Sequence, residues 1–120
     1  MALKESGEMY LETIYILLKE KPAVRSIDIA EYMNYSKPSI SRAMGLLKEQ
    51  RYIQIDPDGH ILLTESGKAI AEKIMERHLV LSKMLISLGV DEATATEDAC
   101  RIEHVISDTS FAALKQFAQK

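Results

Sequence analysis

Among 120 residues there is one cysteine, and there is no tryptophan. A single cysteine cannot form an internal disulfide, which fits a reducing cytosol without requiring one. It also leaves no Cys-x-x-Cys pair, on which structural zinc modules are built. No run of about 18 apolar residues occurs, so no segment is suited to span a membrane. The opening stretch MALKESGEMYLE carries acids where a signal peptide needs an apolar run, which argues for a cytoplasmic protein. Internal repeats, low-complexity tracts and Ser/Gly-rich linkers are absent as well. Nor does one sign of charge dominate: 15 Lys and Arg stand against 18 Asp and Glu, a net −3. That balance speaks mildly against bulk nucleic-acid binding but leaves room for a local basic face. The remainder, 47% hydrophobic and 28% charged, suits one globular unit or two small, closely packed ones.

The hydrophobic period sets the expected order of elements. Over residues 3–20, Leu11, Ile14, Tyr15 and Leu18 recur at helical spacing, and Lys21-Pro22 ends the run. SIDIAEYM predicts a short helix capped by Ser26, with Ile27, Ala30 and Met33 on one side. A further helix follows Asn34-Tyr35, capped by Ser36, with Pro38 in its first turn and an apolar stripe of Ile40, Met44 and Leu47. Two short helices joined by about four residues form a helix-turn-helix. YIQI and ILL flank the turn signal DPDGH and predict a small hairpin, a wing. Thr64 opens a long helix with Ile70, Ile74, Leu81 and Leu85 inward and Gly89 as its stop. Two more helices, DEATATEDACRIEHVIS and DTSFAALKQFA, each open on an aspartate. The expected fold is mainly α: a winged helix-turn-helix module over residues 1–63, then a helical domain over 64–120.

The exposed face of the second helix of the pair points to DNA. Ser36, Lys37, Ser39, Ser41 and Arg42 are small or basic and cluster at its N-terminal end, where a recognition helix meets base edges and phosphates. Four cations (Lys37, Arg42, Lys48, Arg51) face one acid, Glu49, over this stretch. Pro38, with Arg25 and Ser26 ahead of the preceding helix, completes the expected DNA-binding set.

The segment EDACRIEHVISD carries Cys100, Glu103 and His104 at i, i+3 and i+4, expected on one helical face beside a buried stripe of Ala99, Ile102 and Ile106. A thiolate, a carboxylate and an imidazole so placed can share one divalent ion. The plainer alternative is a core cysteine beside a surface Glu-His pair. Met9 and Glu12, again i and i+3, share a face of the first helix, though a methionine there is as readily core filler. His78 sits within MERHLVL, on what reads as a charged, half-exposed turn.

Four segments resemble the diphtheria-toxin-repressor family of metal-dependent transcriptional regulators, in order and over essentially the whole chain. They are GEMYLETIYIL, RSIDIAEYMNYSKPSISRAMGLLKEQRYI, LTESGKAIAEKIMERHLVL and DACRIEHVISD. The resemblance implies a two-domain form whose second domain binds metal and dimerises, without the SH3-like domain that members commonly append. It matches Met9, Cys100, Glu103 and His104 to the primary metal site of the iron-responsive branch. The manganese branch has carboxylates where Met9 and Cys100 stand, yet Glu12 and His78 match its second metal position. Where iron-responsive members usually carry further acid and His ligands, this chain has Ser82 and Thr96.

The implied function is a non-enzymatic repressor of metal-uptake genes, a homodimer on a palindromic double-stranded operator. Ile106, Phe111 and Leu114 are expected on the dimer surface. Sulfur donors and availability in a reducing cytosol favour Fe2+ first and Mn2+ second, with Co2+, Ni2+ and Zn2+ able to substitute in vitro. Two other readings compete. A winged-helix regulator sensing a small organic ligand or redox state needs no metal. A cysteine hydrolase using Cys100 and His104 lacks a glycine turn to expose the nucleophile and a loop for an oxyanion hole.

Overall fold

The computed structural model describes residues 5–119. They form α1 (Glu5–Glu20), α2 (Ser26–Met33), α3 (Lys37–Glu49), β1 (Ile53–Ile55), β2 (Ile61–Leu63), α4 (Glu65–Ser87), α5 (Glu92–Ile102) and α6 (Asp108–Ala118). Residues 3 and 4, expected to open the first helix, lie outside the described residues. The mainly α fold with a winged helix-turn-helix is as expected. The chain divides into two compact units, one ending at Glu72 and the other beginning at Lys73.

The first unit is built around α1. Leu11, Ile14 and Leu17 are buried there against Ile29 of α2 and Ile40, Met44 and Leu47 of α3. Each such side chain contributes about 1.5–3 kcal/mol on leaving water. In α2 Ala30 is buried and Met33 packs half-buried on the core, as expected, but Ile27 is 36% exposed and Ile29 takes its place in the core. Ser26 is likewise the first helical residue rather than the cap. The cap position is Arg25, extended at φ −122°, and its backbone N–H donates to the Asp28 carboxylate at 2.8 Å. Asn34, left-handed at φ 59°, ends α2, a conformation asparagine accepts more readily than most residues. Ser36 caps α3 as expected, its Oγ accepting from the Ser39 N–H.

The strands pair antiparallel in the register Ile53↔Leu63, Gln54↔Leu62 and Ile55↔Ile61. The Ile61 N–H donates to the Val24 carbonyl at 2.7 Å, which ties the wing to the segment before α2. Within the loop, Asp56 Oδ1 accepts the backbone N–H groups of Asp58 and His60. The His60 N–H, foremost, holds the Asp56 carboxyl below the ordinary carboxylate range. Thr64 caps α4 by accepting from the Gly67 N–H and donates to the Arg51 carbonyl at 2.8 Å.

In the second unit, Ile74 and Leu81 of α4, Ala95 and Ala99 of α5 and Phe111 of α6 are buried. Gly89, at φ 101°, ends α4, and Asp91 caps α5 through the Thr94 N–H. Two expectations need correction. The cap of α6 is Ser107, which accepts from the Ser110 N–H, and Asp108 is the first helical residue. Helix α5 stops at Ile102, so Glu103 is its C-cap and His104 lies in the turn beyond it.

Candidate metal centre

The three donors of the EDACRIEHVISD segment therefore do not sit on one regular helical face. Cys100 belongs to the last turn of α5 and the other two to the turn after it. They converge nonetheless, because Glu103 keeps a helical backbone (φ −58°, ψ −26°) and its N–H still bonds the Ala99 carbonyl at 2.9 Å. Ligand atoms of Cys100, Glu103 and His104 lie within 4.8 Å of one another. Glu103 is 0% exposed. Its Oε2 lies 2.9 Å from His78 Nδ1 and its Oε1 lies 3.3 Å from His104 Nε2. A carboxylate is thus clamped between two imidazoles, one from α4 and one from its own turn.

This arrangement fits a cation. A carboxylate wholly out of water is costly unless paired and fully hydrogen-bonded. Oε1 of Glu103 accepts no hydrogen bond among the described residues. Thiol, carboxylate and imidazole together form a mixed S/O/N donor set of the kind that suits divalent transition metals. Met9 and Glu12 lie one turn apart on α1, in the first unit, both half-buried, and Thr13 Oγ1 donates to the Met9 carbonyl at 2.9 Å.

One residue of this neighbourhood escaped the sequence reading. Arg77, adjacent to His78, is buried and donates to the Glu103 and Ile106 carbonyls and to the Asp108 carboxylate. Nothing in MERH marks it, because its partners are some 30 residues away in sequence. A second group of close donors, Asp56, Asp58 and His60, belongs to the wing loop, where backbone N–H groups already occupy Asp56.

On the first unit, Ser36, Lys37, Pro38, Ser41 and Arg42 are exposed, and Ser39 is half-buried with its Oγ 2.8 Å from that of Ser36. Ser26 is half-buried, and Arg25 is exposed with its guanidinium 3.4 Å from His60 Nε2, so it spans from α2 to the wing. Lys48 and Arg51 are exposed as well.

Comparison with known proteins decides the family. Residues 2–61 match the model of the iron dependent repressor N-terminal DNA binding domain. Residues 64–120 match that of the iron dependent repressor metal binding and dimerisation domain. The chain belongs to the iron-dependent repressor family. It is 34% identical over 120 residues to a helix-turn-helix-type transcriptional regulator of Methanocaldococcus jannaschii, covering 98% of this chain and 96% of that protein. With the diphtheria toxin repressor of Corynebacterium efficiens it shares 33% over 107 residues, 88% of this chain and 46% of the repressor. Among solved structures, the manganese regulator SloR superposes with a TM-score of 0.83 at 27% identity, covering 99% of this chain and 55% of SloR. The chain thus spans about half the length of these last two proteins. The family is one of DNA-binding, metal-dependent transcriptional regulators, not of enzymes, and its members include both iron and manganese repressors.

Proposed function

We propose that this protein represses metal-uptake genes by binding a palindromic operator as a homodimer when Fe2+ is plentiful, with Mn2+ the weaker effector. The observation that carries the proposal is the wholly buried Glu103 carboxylate, flanked by His78 and His104 within reach of Cys100. A bound divalent ion supplies the positive charge that such a carboxylate and a neighbouring thiolate require. His78, Glu103, His104 and Cys100 are its ligands in the second unit, and the family resemblance adds Met9 and Glu12 of α1. Sulfur from Cys100 and Met9 makes the set softer than an all-carboxylate one, which moves preference away from Mn2+. Metal acts by its differential affinity for the DNA-binding state. In that state Lys37, Ser39, Ser41 and Arg42 at the start of α3 meet base edges and phosphates, and Arg25 and the wing approach the backbone.

An anaerobic band-shift titration with a promoter fragment tests this reading. Fe2+ is expected to activate binding at lower concentration than Mn2+, and Met9→Asp combined with Cys100→Glu to reverse that order. Activation of the unmodified protein by Mn2+ at the lower concentration overturns the metal assignment.

A further inference from the structure

His78 and Arg77 are neighbours on α4, and both address Glu103, one through its carboxylate and the other through its backbone. Arg77 Nη1 donates to the Glu103 carbonyl at 3.0 Å and to the Ile106 carbonyl at 2.8 Å. Its Nη2 donates to the Asp108 carboxylate, and its guanidinium carbon stands 5.5 Å from the centre of the Phe111 ring. Lys73 Nζ holds the same Asp108 oxygen at 2.8 Å.

An arginine 5% exposed is a costly choice for a mere filler. The backbone accounts for it. Helix α5 ends at Ile102, and carbonyls at a helix's end that the helical ladder does not reach need partners from elsewhere. A guanidinium covers two of them with one nitrogen and keeps another for Asp108, a fork that a single ammonium does not reproduce. The bracketed turn, Glu103 to Ile106, carries two of the candidate donors, Glu103 and His104. Its far end leads directly into Ser107, the cap of α6.

Resting on the metal-site reading above, we infer that Arg77 is the positioning residue of the metal centre. It locks the backbone of the Glu103–Ile106 turn in the conformation that makes the donors converge, and through Asp108 it joins that turn to the start of α6. Groups that orient ligands from behind typically change metal affinity by about 10–100-fold when removed.

The test uses Co2+ as probe, titrated anaerobically into the full chain and followed by its visible ligand-field bands. Thermal melting of the metal-free protein is recorded in parallel. Arg77→Lys and Arg77→Met are expected to bind Co2+ about 10–100-fold more weakly and to show altered band positions at saturation. Asp108→Asn leaves both carbonyl contacts in place and is expected to lower affinity less than either. Arg77→Lys keeps the charge and most of the volume, so it carries the comparison if Arg77→Met does not fold. A lysine variant that binds Co2+ with unchanged affinity and spectrum overturns the proposal, even if it melts earlier, since a purely structural role would move only the melting point. Failure of the underlying reading looks different: the unmodified protein then binds no Co2+, or Glu103→Gln binds it as well as the unmodified protein does.

Discussion

His78 Nδ1 stands 2.9 Å from Glu103 Oε2 although 25 positions separate the two residues in sequence. Glu103 is fully buried, so the pair places a carboxylate and an imidazole where water does not reach the carboxylate. Changing its charge while keeping its shape separates metal binding from folding. Glu103→Gln is expected to weaken metal affinity by about tenfold or more. Its metal-free form is expected to melt no earlier than the unmodified protein, because the substitution also removes a buried charge. Scanning calorimetry with and without Fe2+ reads both effects, and an undiminished metal-induced rise in Tm would count against Glu103 as a ligand. In band shifts, His104→Ala is expected to need more metal than the unmodified protein.

Arg42 lies exposed a little over one turn into α3. Arg42→Ala is therefore expected to weaken operator binding by about 1–3 kcal/mol while leaving metal affinity unchanged. A loss confined to one base position identifies a base-edge contact, whereas a uniform loss with a shallower salt dependence identifies a phosphate contact. Ser36→Ala acts differently: it removes the cap that the Ser39 N–H uses and is expected to cost about 1 kcal/mol of stability.

Gly67 follows the cap of α4, and a Cβ built on it falls 2.0 Å from the Tyr52 carbonyl oxygen. That oxygen also accepts the Thr64 N–H at 3.1 Å, so displacing it strains a hydrogen bond as well as the backbone. Gly67→Ala, ordinarily a favourable change within a helix, is expected here to destabilise the first unit by about 1–3 kcal/mol. Urea denaturation measures the change, and a variant as stable as the parent would show that the start of α4 can shift away from the wing.

Asp28 anchors the start of α2. Hydrogen bonding from Lys21 at 2.8 Å, then from the Arg25 N–H, holds its carboxyl below the ordinary carboxylate range. A native value below the unfolded one means that the stabilisation is fully present above about pH 4 and is lost as pH falls through the native value. Asp28→Asn is thus expected to be less stable than the unmodified protein at pH 7, with the difference shrinking below about pH 4. Melting curves across the acid range give this directly, and a difference that stays constant would exclude the linkage.

Phe111, expected from the sequence at a dimer surface, is 7% exposed and packs beneath Arg77 within its own chain. The large apolar side chains that the second unit leaves most open are Leu88 at 76%, Val105 at 72% and Phe117 at 70%, followed by Leu79 and Ile86. Sedimentation is expected to show a dimer at micromolar concentration. Phe117→Asp or Val105→Asp is expected to shift it toward monomer with little change in monomer stability, whereas Phe111→Ala is expected to lower stability itself by about 3 kcal/mol. A dimer insensitive to both aspartate substitutions would place the interface elsewhere.

Local chemistry made most of the elements legible in advance. Ser36 and Pro38 start α3, Gly89 stops α4, and the DPDGH loop with its flanking apolar runs makes the wing, since each acts over one turn of chain. Errors arose where two local signals compete. Ser26 is a good cap by type, but Asp28 two residues on reaches back to Arg25 and moves the boundary. At Ser107-Asp108 both residues can cap, and the serine does.

The sequence alone determined that Cys100, Glu103 and His104 lie near one another, because residues three and four apart meet whenever the backbone is helical or nearly so. It could not determine that Glu103 is fully buried, that His78 closes on its Oε2, or that Arg77 spans the carbonyls behind it. Those depend on which stretch of α4 packs against the end of α5, a contact between residues about 25 apart. Spacing along a chain governs neighbours within a turn, but burial and charge pairing are settled only when separate elements pack together.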